Sequence, residues 1–267
     1  MKSMKLYADV HRIYNHLSAL GIGPDDPLTA ADLSPFDQYH YHGTEAVDLA
    51  AKRLGARAGM RILDVGSGIG GPARHLAATT GAEVTALELQ ADLDAVARDL
   101  TRRCGLDGRV MHVCGDILDG SPRGPFDGIV SMLCMLHIPD KARLFAACRA
   151  ALVPGGTMVI EDFARARPLS AAETDSLAIK VQARDLPTAQ EYRAHLAGAG
   201  FAGVEIDDVT EDWREFSAAR VRAAREGRAA SVALHGEEIV AGLEDFYGAV
   251  DALWQGGALR GLRITAR

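Results

Sequence analysis

Short apolar runs alternate with amphipathic helical stretches through the middle of the chain. The runs are MRILDV (60–65), AEVTALEL (82–89), RVMHV (109–113), FDGIVSML (126–133) and TMVIEDF (157–163). Between them, apolar residues recur with helical spacing near 72–80, 91–104 and 140–152. Strands that read as nearly continuous Val, Ile and Leu, separated by helices, are covered on both faces, so the pattern predicts βαβ units around a parallel sheet. Upstream, Leu6, Val10, Ile13, Leu17 and Leu20 recur at steps of three and four and predict a helix over the first twenty residues, stopped by Gly21. A turn-rich GIGPDDPL and the aromatic, histidine-rich FDQYHYHG (36–43) follow, and helical spacing resumes from Thr44 to Gly55.

After residue 187 the order changes. A helix, LPTAQEYRAHLAGAG, leads to a strand-like FAGVEIDDVT (201–210), and RGLRITA (260–266) closes the chain. Between those two strands lies an Ala- and charge-rich helical insert, 211–255, carrying Trp213, Phe216, Phe246, Tyr247 and Trp254. An insert of that size is expected to cap a site, because connections at a sheet's carboxyl edge carry ligands. The organisation read from this pattern is a cover (1–42), a core (43–210 and 256–267) and a cap (211–255).

Composition narrows the function classes. The 267 residues are 48% hydrophobic and 24% charged, enough apolar material for a sizeable core. Lys and Arg total 29 against 36 Asp and Glu, a net −7 with no basic block, which argues against nucleic acid as a partner. No apolar run approaches the ~20 residues of a membrane span, and MKSMKLYADVHR lacks the apolar stretch of a signal peptide. Cys104, Cys114, Cys134 and Cys148 form no CxxC. Free thiols and a cytoplasmic location are therefore expected.

The sharpest local feature is ILDVGSGIGGPARHL (62–76). A strand ends at Val65, a glycine-rich turn follows, and a helix begins near Pro72. Gly66 and Gly68 permit the tight turn and a close backbone approach by a ligand, where a helix start presents unpaired N–H groups. Gly66, Gly68 and Gly71 also satisfy the dinucleotide pattern GxGxxG, so the loop alone leaves an NAD-type oxidoreductase open. Three acids weigh against it. Asp64, just before the loop, suits an ammonium and repels a pyrophosphate. Glu88 ends the second strand, where its two oxygens can hold both hydroxyls of a ribose. Asp116, in CGDIL after the third strand, can accept from an adenine amine while Ile117 packs on the ring. Acids at three successive strand ends suit a cationic adenosyl ligand.

On these residues the chain resembles the class I S-adenosylmethionine-dependent methyltransferases. LDVGSGIGG, the acid of ALEL, CGDIL, MLHIPD and LVPGGTMVIEDF stand in that family's order over roughly 43–165. The resemblance implies an α/β fold, a Rossmann-like seven-stranded sheet with helices on both faces and an antiparallel last strand. With it go the N-terminal helical cover and the helical cap between the last two strands. It implies S-adenosyl-L-methionine as cofactor, leaving S-adenosyl-L-homocysteine as product, and a small-molecule acceptor. Asp64, Gly66, Ser67 and Gly68 would serve the methionine part, Glu88 and Leu89 the ribose, Asp116 and Ile117 the adenine, with Met132 completing the wall.

Candidates on the acceptor side come from the remaining elements. His137, just after the fourth strand, is the candidate general base, since an imidazole is matched to neutral pH. If FDQYHYHG were extended, His40 and His42 would share one face, with Tyr39 and Tyr41 on the other. Tyr39 and His40 are expected to cover the cofactor, and Tyr41, His42, Trp213, Tyr247 and Trp254 to meet the acceptor. No ligand set for a metal is complete. Arg220, Arg222, Arg225 and Arg228 read as a solvated helix face. The resemblance runs to methyltransferases of sarcosine, dimethylglycine and phosphoethanolamine, which implies an amine nitrogen as acceptor. Phosphobase enzymes carry an Asp where this chain has Leu133 and a Tyr where it has Phe163, so phosphoethanolamine is disfavoured. GIGGPAR is shared with sterol and natural-product enzymes, which keeps carbon and oxygen acceptors open. A protein that binds the cofactor without turnover is the remaining alternative.

Overall fold

A computed structural model describes residues 9–120, 122 and 124–267. Its sheet has seven strands: β1 (Arg61–Val65), β2 (Glu83–Glu88), β3 (Val110–Cys114), β4 (Phe126–Met132), β5 (Leu152–Arg165), β6 (Val204–Asp208) and β7 (Leu259–Ala266). Their spatial order is β3-β2-β1-β4-β5-β7-β6. Strands β1 to β5 pair in parallel, and β7 runs antiparallel between β5 and β6. The chain leaves β1 outward through β2 and β3, then returns to β4 on β1's other side. That reversal opens a crevice at the carboxyl ends of β1 and β4, where open α/β sheets hold ligands.

Helices cover both faces, as the apolar strands require. On one face α3 (Gly43–Leu54) and α4 (Gly71–Thr80) bury Val47, Leu54 and Leu76 against Ile62, Val84 and Val130. On the other, α6 (Lys141–Ala151) and α8 (Ala189–Gly198) bury Leu144, Phe145, Tyr192 and Leu196 against Leu63, Ile129 and Ile160. The helical cap α9 (Thr210–Glu226), α10 (Arg228–His235) and α11 (Glu237–Gln255) stands between β6 and β7, and α7 (Ala171–Ser176) precedes α8.

The cover departs from its sequence pattern. Helix α1 spans Arg12–Ala19 and buries Ile13 and Leu17, but Leu20 lies beyond its end, 61% exposed, and Leu6 lies outside the described residues. An unexpected helix, α2 (Ala30–Asp37), follows the turn-rich GIGPDDPL and takes in the first two residues of FDQYHYHG; Thr29 and Asp32 form a capping box that starts it. Together α1, α2 and α5 (Ala91–Arg103) enclose a small core of Ile13, Leu17, Leu33, Ile69, Val96 and Leu100. One buried ion pair fastens the cover to the sheet layer. Arg74 Nη2 donates to Asp37 Oδ2 at 2.9 Å with both side chains essentially inaccessible, and Arg74 Nη1 also meets Thr101 Oγ1 at 3.2 Å. No described helix is long and apolar enough to cross a membrane.

Removing one partner of a buried pair strands the other's charge. Arg74→Met is expected to lower the unfolding free energy by about 3–5 kcal/mol. Urea denaturation measures it, and a loss below about 1 kcal/mol would show that the pair does not hold the cover.

Candidate active site

The end of β1 sets the geometry of the crevice. Gly66, Gly68 and Gly70 all have positive φ (78°, 56° and 83°), a conformation glycine adopts without a Cβ penalty. Gly66 N and Ser67 N both donate to Leu87 O, at 2.9 and 3.0 Å, which hangs the loop on the end of β2. A Cβ on Gly66 would overlap Cys134 Sγ and Cβ, so the loop after β4 packs directly on this glycine. Gly68 N donates to Glu88 Oε2 (2.9 Å) and Gln90 N to Glu88 Oε1 (2.8 Å). Burial raises the Glu88 pKa, and the Gln90 and Gly68 amides oppose that rise. Each Glu88 oxygen accepts one backbone N–H and keeps a lone pair for a ligand hydroxyl.

The result is a cleft partly open to solvent. Its wall contains Gly66, Ser67, Gly68, Glu88, Leu89, Asp116, Ile117, Met132, Tyr39, His40 and His137, all singled out in the sequence. Asp116 accepts from Leu118 N at 2.9 Å through Oδ1, capping a short 3-10 turn that carries Ile117. The wall also includes Asp37, Ile69, Gln90, Leu93, Leu133, Cys134 and Ile138, which pattern reading missed. Apolar residues flanking the glycine loop and the end of β4 were the available signal for several of them.

Asp64 does not contact the cleft directly. It is 1% exposed behind the loop, and burial, reinforced by the neighbouring Glu88, pushes its carboxyl up to about 7. Its Oδ2 and the Ser67 hydroxyl are buried without hydrogen-bond partners. Buried polar atoms without a partner cost free energy.

The acceptor-side expectations need correction. FDQYHYHG is not extended: His42 has φ 56° and caps α3, so His40 and His42 do not share a face. His40 is buried, with ring nitrogens 3.0 Å from Tyr41 O and 2.9 Å from Gln38 Oε1. His42 instead faces outward and pairs with Asp212 at 2.8 Å. Tyr41, Trp213 and Trp254 form an aromatic core rather than a binding wall. Tyr41 stacks on Trp213 with centroids 4.6 Å apart, and Trp254 Nε1 donates to Tyr41 Oη at 2.9 Å. Three large rings bury more apolar area against one another than a small acceptor would cover, which explains the misplacement. Tyr247 is half-buried outside the cleft wall, with Arg220 5.6 Å above its ring. Arg220 is not a solvated charge: it donates to His40 O at 3.0 Å and lies over Tyr41 and Phe216, joining cap to cover.

His137 stands on a 3-10 turn (Met135–His137) directly after β4. Its Nδ1 is 3.3 Å from Gln182 O. A carbonyl only accepts, so Nδ1 carries the proton and Nε2 is left as the acceptor. Burial lowers its pKa to about 4, keeping the ring neutral at physiological pH.

Comparison with known proteins agrees with this geometry. Residues 39–206 match a methyltransferase domain family (Methyltransferase domain), and the chain belongs to that family. Methyltransferase GfsG of Streptomyces halstedii is 32% identical over 191 residues, covering 68% of this chain and 67% of that protein. Phosphoethanolamine N-methyltransferase 1 of Arabidopsis thaliana is 32% identical over 174 residues, 65% of this chain but 35% of that protein. The chain thus spans about a third of the length of such relatives. Among solved structures, phosphoethanolamine N-methyltransferase 2 of Haemonchus contortus, in complex with S-adenosyl-L-methionine, superposes with a TM-score of 0.81 at 22% identity, over 97% of this chain and 57% of that one. A Galdieria sulphuraria protein assigned as a sarcosine dimethylglycine methyltransferase superposes with a TM-score of 0.72 at 19% identity, over 83% of each chain.

Gly66→Ala combines a left-handed backbone with the overlap on Cys134. It is expected to cost at least about 2 kcal/mol in unfolding free energy. Adding Cys134→Gly removes the overlapping atoms and should recover part of that loss. Chemical denaturation of the single and double variants decides, and a neutral Gly66→Ala would contradict the packing.

Proposed function

We propose that this methyltransferase uses S-adenosyl-L-methionine and methylates an uncharged small molecule, through an amine nitrogen held as the free base. The observation that carries the cofactor reading is Glu88. It is fixed by two loop amides, has lone pairs left over, and lines the cleft together with Asp116 and Ser67, with Asp64 buried at the end of β1 beside them. That set fits a ribose, an adenine amine and an ammonium, and has nothing to hold a pyrophosphate. When bound, the cofactor supplies an electrophilic methyl on a sulfonium. The chain's part is to align donor and acceptor, because displacement in line needs positioning above all.

The acceptor reading rests on the cleft wall. Among its described residues there is no Lys or Arg to hold a phosphate, which disfavours a phosphobase despite the named relatives. Its acids are committed: Asp37 to Arg74, and, in this reading, Glu88 to the ribose and Asp116 to the adenine amine. None is left for a cationic acceptor. His137 Nε2, neutral and unengaged by Gln182, takes the proton that the acceptor loses as the new bond forms. A hydroxyl oxygen is the second reading, favoured by this neutral imidazole, since a hydroxyl must shed a proton to complete the transfer. Four free cysteines fit a cytoplasmic setting.

Calorimetry with S-adenosyl-L-homocysteine tests the cofactor reading. Binding is expected with it and absent with NAD. A ligand cation favours ionised Asp64, whose carboxyl titrates near 7 in the free protein. Affinity should therefore be greatest above pH 7 and fall below it, by up to about tenfold per pH unit toward pH 5. No binding at saturating ligand would overturn the cofactor assignment, and a flat pH profile would remove Asp64 from it.

A further inference from the structure

A second group of buried polar side chains lies behind the cleft, on the far side of the His137 turn. Lys141, 2% exposed at the start of α6, donates from Nζ to Met135 O at 3.0 Å and to Ile138 O at 2.6 Å. Those two carbonyls bracket the turn that carries His137. Asp162, 0% exposed near the end of β5, accepts from Phe163 N at 3.0 Å and from Tyr192 Oη at 2.6 Å. The Leu136 amide, within the same turn, also favours its charged form. The charges of Asp162 and Asp185 in turn favour protonated Lys141, against the burial that lowers its pKa. A buried ammonium is expensive, and two hydrogen bonds to main-chain carbonyls are what this one makes.

A fully apolar side chain at position 141 would fill the space with less penalty, so the ammonium needs a reason. The turn supplies it. The 3-10 turn closes with Ile138 N donating to Met135 O at 3.0 Å, and Lys141 Nζ adds a second donor to that carbonyl and one to Ile138 O just beyond the turn. With both ends tied, the backbone that carries the His137 ring is held in place. Its Nδ1 meets Gln182 O, presented by a residue with φ 57° directly after a π-helical turn (Leu177–Val181). We propose that Lys141, backed by Asp162 and Tyr192, is a positioning residue that fixes the turn of His137 and the tautomer that leaves Nε2 toward the cleft.

This inference rests on the reading of His137 as the proton acceptor, and it is tested without turnover. Imidazole nitrogen NMR of the full-length protein reports the tautomer and titration of His137, assigned by loss of its signals in His137→Ala. In the native chain a single tautomer protonated at Nδ1 is expected. In Lys141→Met the two carbonyl bonds are lost, and the signals should become those of mixed tautomers. The titration should move up by about one pH unit, because a neighbouring positive charge is also gone. Should that variant fail to fold, Lys141→Gln keeps N–H donors at shorter reach and should give an intermediate tautomer ratio. Lys141→Arg, which restores charge and donors, should return the tautomer toward native. A folded Lys141→Met or Lys141→Gln whose His137 spectrum and titration match the native protein would overturn the proposal, even if its melting point fell. Calorimetric binding of S-adenosyl-L-homocysteine should be unchanged in these variants. Its absence in the native protein would instead count against the cofactor reading, leaving the Lys141 result to stand on its own.

Discussion

Every other feature of the site depends on how the chain turns off β1. The loop must drop between the ends of β2 and β4 while leaving amides aimed at Glu88, and glycine makes both possible. Gly66 leaves room for Cys134, and Gly68 turns its N–H onto Glu88. Those amides keep a nine-tenths-buried carboxylate viable, since burial alone would favour its neutral form. Asp64, one layer deeper, has no backbone amide to compensate its burial, only the nearby Ser67 hydroxyl, and keeps one oxygen without a partner. On the proposed reading, a ligand with one cationic end and two hydroxyls would pair with these two carboxylates.

The cover meets the cleft through Asp37, Tyr39 and His40, whereas none of the cleft's described lining residues comes from the 211–255 insert, and the two are held by different forces. The cover is pinned by a buried charge pair, Asp37 with Arg74, whose acid also forms part of the cleft wall. The cap is held by rings, with Tyr41 of the cover packed among Trp213, Trp254, Phe163 and Phe216. Arg220 adds a polar tie to His40 O, and His235 of α10 meets His16 of α1 at 3.2 Å. Aromatic residues that look like a binding wall in the sequence thus join two segments far apart in the chain.

What the sequence made legible follows from what each signal measures. Apolar runs with interposed helices located the central strands, because burial on both faces leaves a continuous apolar trace, while the edge strands β3 and β6 showed a weaker pattern in keeping with their exposure. The strand-end acids and glycines were readable because their spacing is fixed by local geometry. Helix α2 was hidden by Pro35 and by the turn-forming residues before it, although Thr29 and Asp32 spelled its start. Helix α7 carried a similar signal in Ser170 and Glu173 that went unread. The fates of Tyr41, Trp213 and His42 were not legible, since they depend on contacts between residues about 170 positions apart, such as His42 with Asp212. Nor was the role of Lys141, which reads as an ordinary helix-start lysine until the carbonyls of Met135 and Ile138 are seen above it.

The central claim is that the β1 loop and Glu88 form a prepared adenosyl site. A crystal structure of the chain grown with S-adenosyl-L-homocysteine tests it most directly. Both ribose hydroxyls are expected within about 2.5–3.0 Å of the Glu88 oxygens. The adenine should lie by Asp116 and Ile117, and the amino acid end against Gly66 and Ser67. Density placing the adenosyl group elsewhere, or leaving the Glu88 oxygens in contact with backbone amides alone, would contradict the account.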